Sequence, residues 1–244
     1  MDITKSKWNG FDCIDFLFED RKAIIVFPGD ENKSDKWLLK TEYFDAFPQF
    51  EIDMVASGWH LVFIENKTPW CLDEDIERKS RFADFVKEEF GLYEKCVPVG
   101  MSCGGMIGVK FAARYPEKVS CLYIDAPVMN LLSCPANLGV AKSELTYELF
   151  LEATGITLSE LLGYREHPID KMNILLENNI PIIMVAGDSD SVVPYCENGA
   201  ILEKFYRENG GIIEVYIKPG CDHHPHGLED TSPIMKFVKK YCEL

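Results

Sequence analysis

Positive charge is in short supply in this 244-residue chain: 25 Lys and Arg stand against 40 Asp and Glu, a formal net charge of −15. A phosphate backbone is repelled by such a surface, and the basic clusters at Glu77-Arg78-Lys79-Ser80-Arg81 and Lys239-Lys240 are short or mixed with acids. Nucleic acid is therefore not an expected partner. No apolar run approaches the roughly 20 residues that span a bilayer, so no membrane partner is expected either. The start, Met1-Asp2-Ile3-Thr4-Lys5, lacks a basic segment followed by an apolar one, as a secretory leader would have. There is no CxxC pair. The nine cysteines are scattered singly, and an odd count leaves at least one unpaired, which suits reduced thiols and a cytoplasmic location. Gly/Ser-rich linkers and internal repeats are also missing.

What the chain does have is 47% hydrophobic residues, arranged as short apolar runs alternating with longer amphipathic segments. Ile14–Phe18 alternates like an edge or antiparallel strand. Ala23–Phe27 is a continuous β-branched run that stops at Pro28-Gly29. A loop then leads through Trp37 to a helix near Phe50–Ser57. Further strands are expected at Trp59–Ile64, Cys96–Val99, Val119–Ile124, Ile180–Ala186 and Ile212–Ile217. Helices are expected at Ile76–Phe90, Cys103–Arg114 and Ser232–Tyr241. Strands separated by helical patterns of 10–15 residues imply βαβ units and a mainly parallel sheet covered on both faces. Residues 129–166 break the rhythm with helical pieces, read as a cap inserted over the carboxyl edge of the sheet. The whole, 1–244, is read as one domain.

At Gly100-Met101-Ser102-Cys103-Gly104, a G-x-S-x-G string falls where a strand gives way to a helix. A turn that sharp needs small residues on both sides of the serine. It lifts the hydroxyl above the sheet and points the next amide, that of Cys103, at the same spot. Ser102 is the candidate nucleophile and the Cys103 amide a candidate oxyanion donor. The Cys103 thiol, a stronger nucleophile, lies one residue past the apex and faces the helix.

A serine needs a base, and the base needs a carboxylate to hold its tautomer. Gly187-Asp188-Ser189-Asp190-Ser191-Val192-Val193-Pro194 follows a buried strand and offers Asp190, with Asp188 as the alternative. After the last strand, Cys221-Asp222-His223-His224-Pro225-His226 gathers three of the five histidines in four positions. His223, nearest the strand, is the candidate base and His224 its competitor; Met101, His224 and His226 are candidate substrate contacts. The same cluster offers metal ligands. Adjacent histidines project in different directions, however, and no second ligand motif accompanies them, so neither metal nor other cofactor is expected. His60 and His167 read as ordinary packing residues.

These stretches, with Trp37–Phe44, Phe47-Pro48-Gln49, Gly58–Val62, Asp125-Ala126-Pro127-Val128 and His167-Pro168-Ile169-Asp170, resemble bacterial serine hydrolases of the α/β-hydrolase fold, of the prolyl-oligopeptidase-like and esterase kind. The resemblance implies that fold and a Ser102–Asp190–His223 triad. It also implies that the segment from Trp37 to Glu42 borders the site, which makes Trp37 a candidate substrate contact and Lys40 a candidate oxyanion position; Gly29–Glu31 is the other source considered for that second amide. Two departures stand out: the family usually carries Arg where Cys103 and Lys40 stand here, and Lys cannot grip a carboxylate bidentately. The expected function is hydrolysis of a carboxylic ester, of the kind found on an acylated sugar or small polyol, with amide or peptide hydrolysis and a non-catalytic binding protein as the alternatives.

Overall fold

A computed structural model describes residues 2–143 and 146–242 of the chain. Among the described residues nine strands form one sheet in the order β1-β2-β3-β5-β4-β6-β7-β8-β9. The first three, β1 (Thr4–Trp8), β2 (Phe11–Phe18) and β3 (Arg21–Val26), are antiparallel neighbours. Tight turns dictate this. Asn9-Gly10 and Glu19-Asp20 all have positive φ, the conformation that two-residue hairpin loops demand. β3 pairs antiparallel with β5 (His60–Ile64), and from there the ladder is parallel through β4 (Trp37–Lys40), β6 (Val97–Met101), β7 (Leu122–Asp125), β8 (Ile182–Gly187) and β9 (Ile213–Lys218).

Side chains alternate across a strand, and here both faces are apolar because helices cover both. One face sends Ile25, Leu39, Val62 and Ile124 against α2 (Asp73–Phe90), α3 (Cys103–Arg114), α6 (Met172–Glu177) and α7 (Gly199–Glu208). The other sends Ile24, Leu38, Leu61 and Tyr123 against α1 (Gln49–Ala56) and α8 (Ser232–Cys242). The outcome is a three-layer α/β-hydrolase architecture with a mostly parallel sheet.

Several elements were not expected from the sequence. β1 is mostly exposed and polar, so no apolar pattern announces it. β4 has four residues, all buried in the middle of the sheet, too few to establish a period. β7 begins at Leu122 rather than Val119 because a single turn of 3₁₀ helix, Pro116–Lys118, occupies the approach, and Val119 makes only an isolated bridge to Cys96. In the region read as a cap, α4 (Tyr147–Thr154) and α5 (Leu158–Gly163) form. Phe150 of α4 meets Trp70 edge-on at 5.3 Å, which places this helix beside the start of α2. Among the described residues no helix is long and apolar enough to cross a membrane, and the cysteines form no disulfide.

Candidate active site

The carboxyl ends of the parallel strands bring the candidate residues together. β6 ends at Met101, and Ser102 follows with φ 54° and ψ −119°, a strained conformation that a side-chain-bearing residue adopts only when its surroundings enforce it. The flanking glycines show what enforces it. A Cβ on Gly100 would sit 2.1 Å from the Gly104 carbonyl oxygen, and one on Gly105 would sit 2.6 Å from the Pro127 side chain. Strand and helix thus approach too closely for any side chain. The Ser102 amide donates to the Asp125 carbonyl at 2.9 Å, pinning the elbow to the end of β7. Ser102 caps the start of α3, where the helix dipole favours negative charge.

Ser102 opens into a cavity of about 730 Å³ that His223, His224 and His226 also line. Asp190, in the loop after β8, accepts from Nδ1 of His223 at 2.8 Å; both side chains are buried. Its other oxygen accepts the Val192 and Val193 amides at 2.9 and 2.8 Å, so the carboxylate is locked in place. Because a carboxylate only accepts, Nδ1 carries the hydrogen and Nε2 keeps its lone pair. Asp188, the alternative acid, is not paired with an imidazole among the described residues. It is exposed and accepts the Gly220 amide at 2.7 Å, tying two loops together. Among the described residues no hydrogen bond joins the Ser102 hydroxyl to an imidazole; the two groups share the cavity.

A second carboxylate–imidazole pair was not anticipated. Asp125, at the end of β7, holds Nδ1 of His226 at 2.7 Å and also accepts the Gly227 amide at 2.6 Å. His226 lines the cavity as one half of a buried pair. An aspartate at the carboxyl end of a predicted buried strand was the available signal.

Three expectations are altered by the structure. Trp37 lies in β4 with its indole donating to the Tyr93 carbonyl at 2.8 Å, and it is buried in the core away from the cavity. It is a packing residue. Lys40 is in the same strand, paired on both sides, so its amide is spent in the ladder. Its ammonium is fully buried in an ion pair with Glu51 and lies 3.9 Å from the Met101 sulfur. The segment that reaches the cavity is the one after β4, where Tyr43, Ala46 and Phe47 line the wall; Gly29–Glu31 follows β3, separated from β6 by both β5 and β4. Of the cap region among the described residues, Lys142 lines the cavity, and its amide donates to Ser191 at 2.7 Å. Met101 and His224 do line it. Phe47 stacks on His224 at 5.5 Å and meets His226 edge-on at 5.3 Å.

Electrostatics separates the thiol from the hydroxyl. Cys103 is fully buried, and burial pushes its thiol well above the ordinary range, so it stays protonated and unreactive. The Asp222 carboxyl, exposed at the rim, is held below its usual value by the Ser191 and His223 amides. His60 and His167 are buried elsewhere; the Leu131 amide donates to Nδ1 of His167 at 3.1 Å, a structural role.

Known proteins share this fold. Solved structures with the same fold include an acetyl xylan esterase from Thermoanaerobacterium sp., 16% identical with a TM-score of 0.67, where the match covers 98% of this chain and 87% of the esterase. They also include an acylaminoacyl peptidase from Pyrococcus horikoshii, 13% identical with a TM-score of 0.66, and a protein assigned as a dipeptidyl aminopeptidase IV from Bacteroides ovatus, 14% identical with a TM-score of 0.63. The match covers 98% and 99% of this chain, which spans only 40% and 35% of those two. No curated protein matches the chain. Residues 75–244, which hold the serine elbow, both carboxylate–imidazole pairs and four of the six strands of the parallel ladder (β6 to β9), match the prolyl oligopeptidase family. The chain belongs to that family of serine hydrolases.

Proposed function

We propose that this hydrolase cleaves a carboxylic ester, carried by an acylated sugar or similar small polyol, through an acyl-enzyme on Ser102. The observation that carries the reading is the buried Asp190–His223 pair in the same cavity as a strained, elbow-borne serine.

In the proposed sequence Nε2 of His223 removes the Ser102 proton as the hydroxyl attacks the ester carbonyl. Rotation of the serine side chain closes that hydrogen bond when substrate binds, as commonly happens at sites that are open when empty. Asp190 keeps Nδ1 protonated and stabilises the imidazolium. The oxyanion is held by the Cys103 amide at the start of α3 and by an amide of the Tyr43 segment, each worth about 3 kcal/mol in the transition state. The imidazolium then protonates the departing alcohol, and water, activated by the same base, releases the acid. Phe47, Met101 and His226 line the cavity, together with Asp222 and Lys142 of opposite charge. That mixture favours a neutral ester over a strongly anionic one.

The likeness that spans 87% of an acetyl xylan esterase supports the ester reading. The two peptidase likenesses support amide or peptide cleavage with the same residues as the second reading. Turnover of p-nitrophenyl acetate compared with aminoacyl p-nitroanilides separates them. Fast release from the acetate with little from the anilides is expected; the reverse preference would transfer the assignment to peptide bonds.

A further inference from the structure

Adjacent histidines such as His223 and His224 are expected from the sequence to project in different directions, which disfavours a metal. In the folded loop they come together: one ring nitrogen from each of His223, His224 and His226 lies within 4.8 Å of the others. The rings meet edge to face in every pair, with centroids 4.8 to 4.9 Å apart. Two of them are aimed by buried carboxylates, Asp190 on Nδ1 of His223 and Asp125 on Nδ1 of His226. A carboxylate on one imidazole nitrogen fixes the tautomer and raises the donor strength of the other, the arrangement that accompanies histidine ligands in metal sites. His224 is exposed at the rim, with Phe47 stacked on its ring.

We propose that His223, His224 and His226 form a reversible site for a borderline transition-metal dication, best fitted by zinc(II), and that occupancy silences the hydrolase. Zinc takes imidazole nitrogen at about 2.0–2.1 Å in tetrahedral geometry, which puts ligand nitrogens about 3.3 Å apart. Closing from 4.8 Å asks for a movement of roughly 1.5 Å. Each imidazole donates one lone pair, water fills the fourth position, and no proton need leave the ring nitrogens already bonded to carboxylates. The Nε2 lone pair of His223 is the one that would otherwise accept the serine proton, so an occupied site has no base. Metal binding stands apart from the serine-hydrolase reading; the inhibition rests on it.

Two thiols outside the core, Cys196 and the half-buried Cys221, are competing ligands, so the test uses the full chain carrying C196S and C221S. After treatment with a chelator this protein is titrated with zinc chloride by calorimetry and with cobalt chloride by visible spectroscopy. One ion per chain and the d–d bands of a four-coordinate cobalt site are expected, with affinity falling 10- to 100-fold in H224A and in D125N. Zinc should also block fluorophosphonate labelling of Ser102, and the block should move to correspondingly higher zinc in H224A. Unchanged stoichiometry and affinity in H224A would overturn the site, even if labelling is blocked. Binding that H224A weakens while labelling proceeds at saturating zinc would leave the site standing and overturn the inhibition. Failure of metal-free protein to label at all would count against the serine-hydrolase reading alone, because the two titrations would still judge the metal.

Discussion

Two aspartate–histidine pairs face one serine, and nearly everything about them is alike. Their bonds are 2.8 and 2.7 Å, and all four side chains are buried. They differ in what lies behind the carboxylate. Asp190 sits in a loop whose own amides, from Val192 and Val193, fix it, so its imidazole is carried by two loops alone. Asp125 ends a central strand, its carbonyl holds the Ser102 amide, and its imidazole borders a second cavity of about 180 Å³ with Phe50 and Tyr123. The first pair thus stands on loops, whereas the second is anchored to the end of a central strand. A hydrogen bond from carboxylate to imidazole does not by itself mark the base. His60 supplies the contrast to both: it is buried with Nδ1 unpartnered, and burial, reinforced by Lys33, pushes its pKa down to about 4.

The comparison can be broken or sharpened by substitution. The largest effects should fall on the proposed triad. In S102A, kcat against p-nitrophenyl acetate should drop on the order of 10⁶-fold, and in D190N on the order of 10⁴-fold with the fold intact. A residual rate in D190N close to that of D125N would erase the distinction between the pairs. Next comes K40M, which strands the fully buried Glu51 carboxylate behind the elbow. Loss of one partner of a buried pair costs about 3–5 kcal/mol, readable as a lower urea midpoint; an unmoved midpoint would mean that Glu51 finds another partner or a proton.

The buried His60 imidazole gives a pH signature. Unfolded, His60 binds a proton near its ordinary 6.5, and folded only near 4. Its contribution to stability is therefore complete above pH 6.5 and is lost as the pH falls from there toward 4, by at most about 3 kcal/mol. H60F should flatten that part of the stability curve, and an equal slope in the variant would assign the acid sensitivity elsewhere. The smallest effect should be that of D125N. It removes one charge-assisted hydrogen bond from the wall and should raise KM about 10- to 100-fold with little change in kcat.

Much of this was legible before folding. β3, β5 and β8 announce themselves through runs of apolar residues, and the G-x-S-x-G string falls between two of the clearest elements. Asp190 and His223, which the structure pairs, were picked out because each follows a strand in the chain order the proposed chemistry requires. What stayed hidden had weak local signals. β4 is four residues long, and its place between β5 and β6 is a matter of topology; without it, Trp37 and Lys40 looked like site residues rather than core, and Tyr43 and Phe47 were passed over. The Asp125–His226 pair spans 101 positions, and no local pattern links residues so far apart. The convergence of three histidine rings likewise depends on the path of a loop, which side-chain spacing does not specify.

The central claim is that His223, rather than the equally well-paired His226, deprotonates Ser102. Mass spectrometry of the fluorophosphonate adduct in the parent chain, H223N and H226N tests it directly. The account predicts modification mapped to Ser102 in the parent, its rate nearly abolished in H223N and largely kept in H226N. Labelling that survives in H223N and vanishes in H226N, or that maps to another residue, would contradict it.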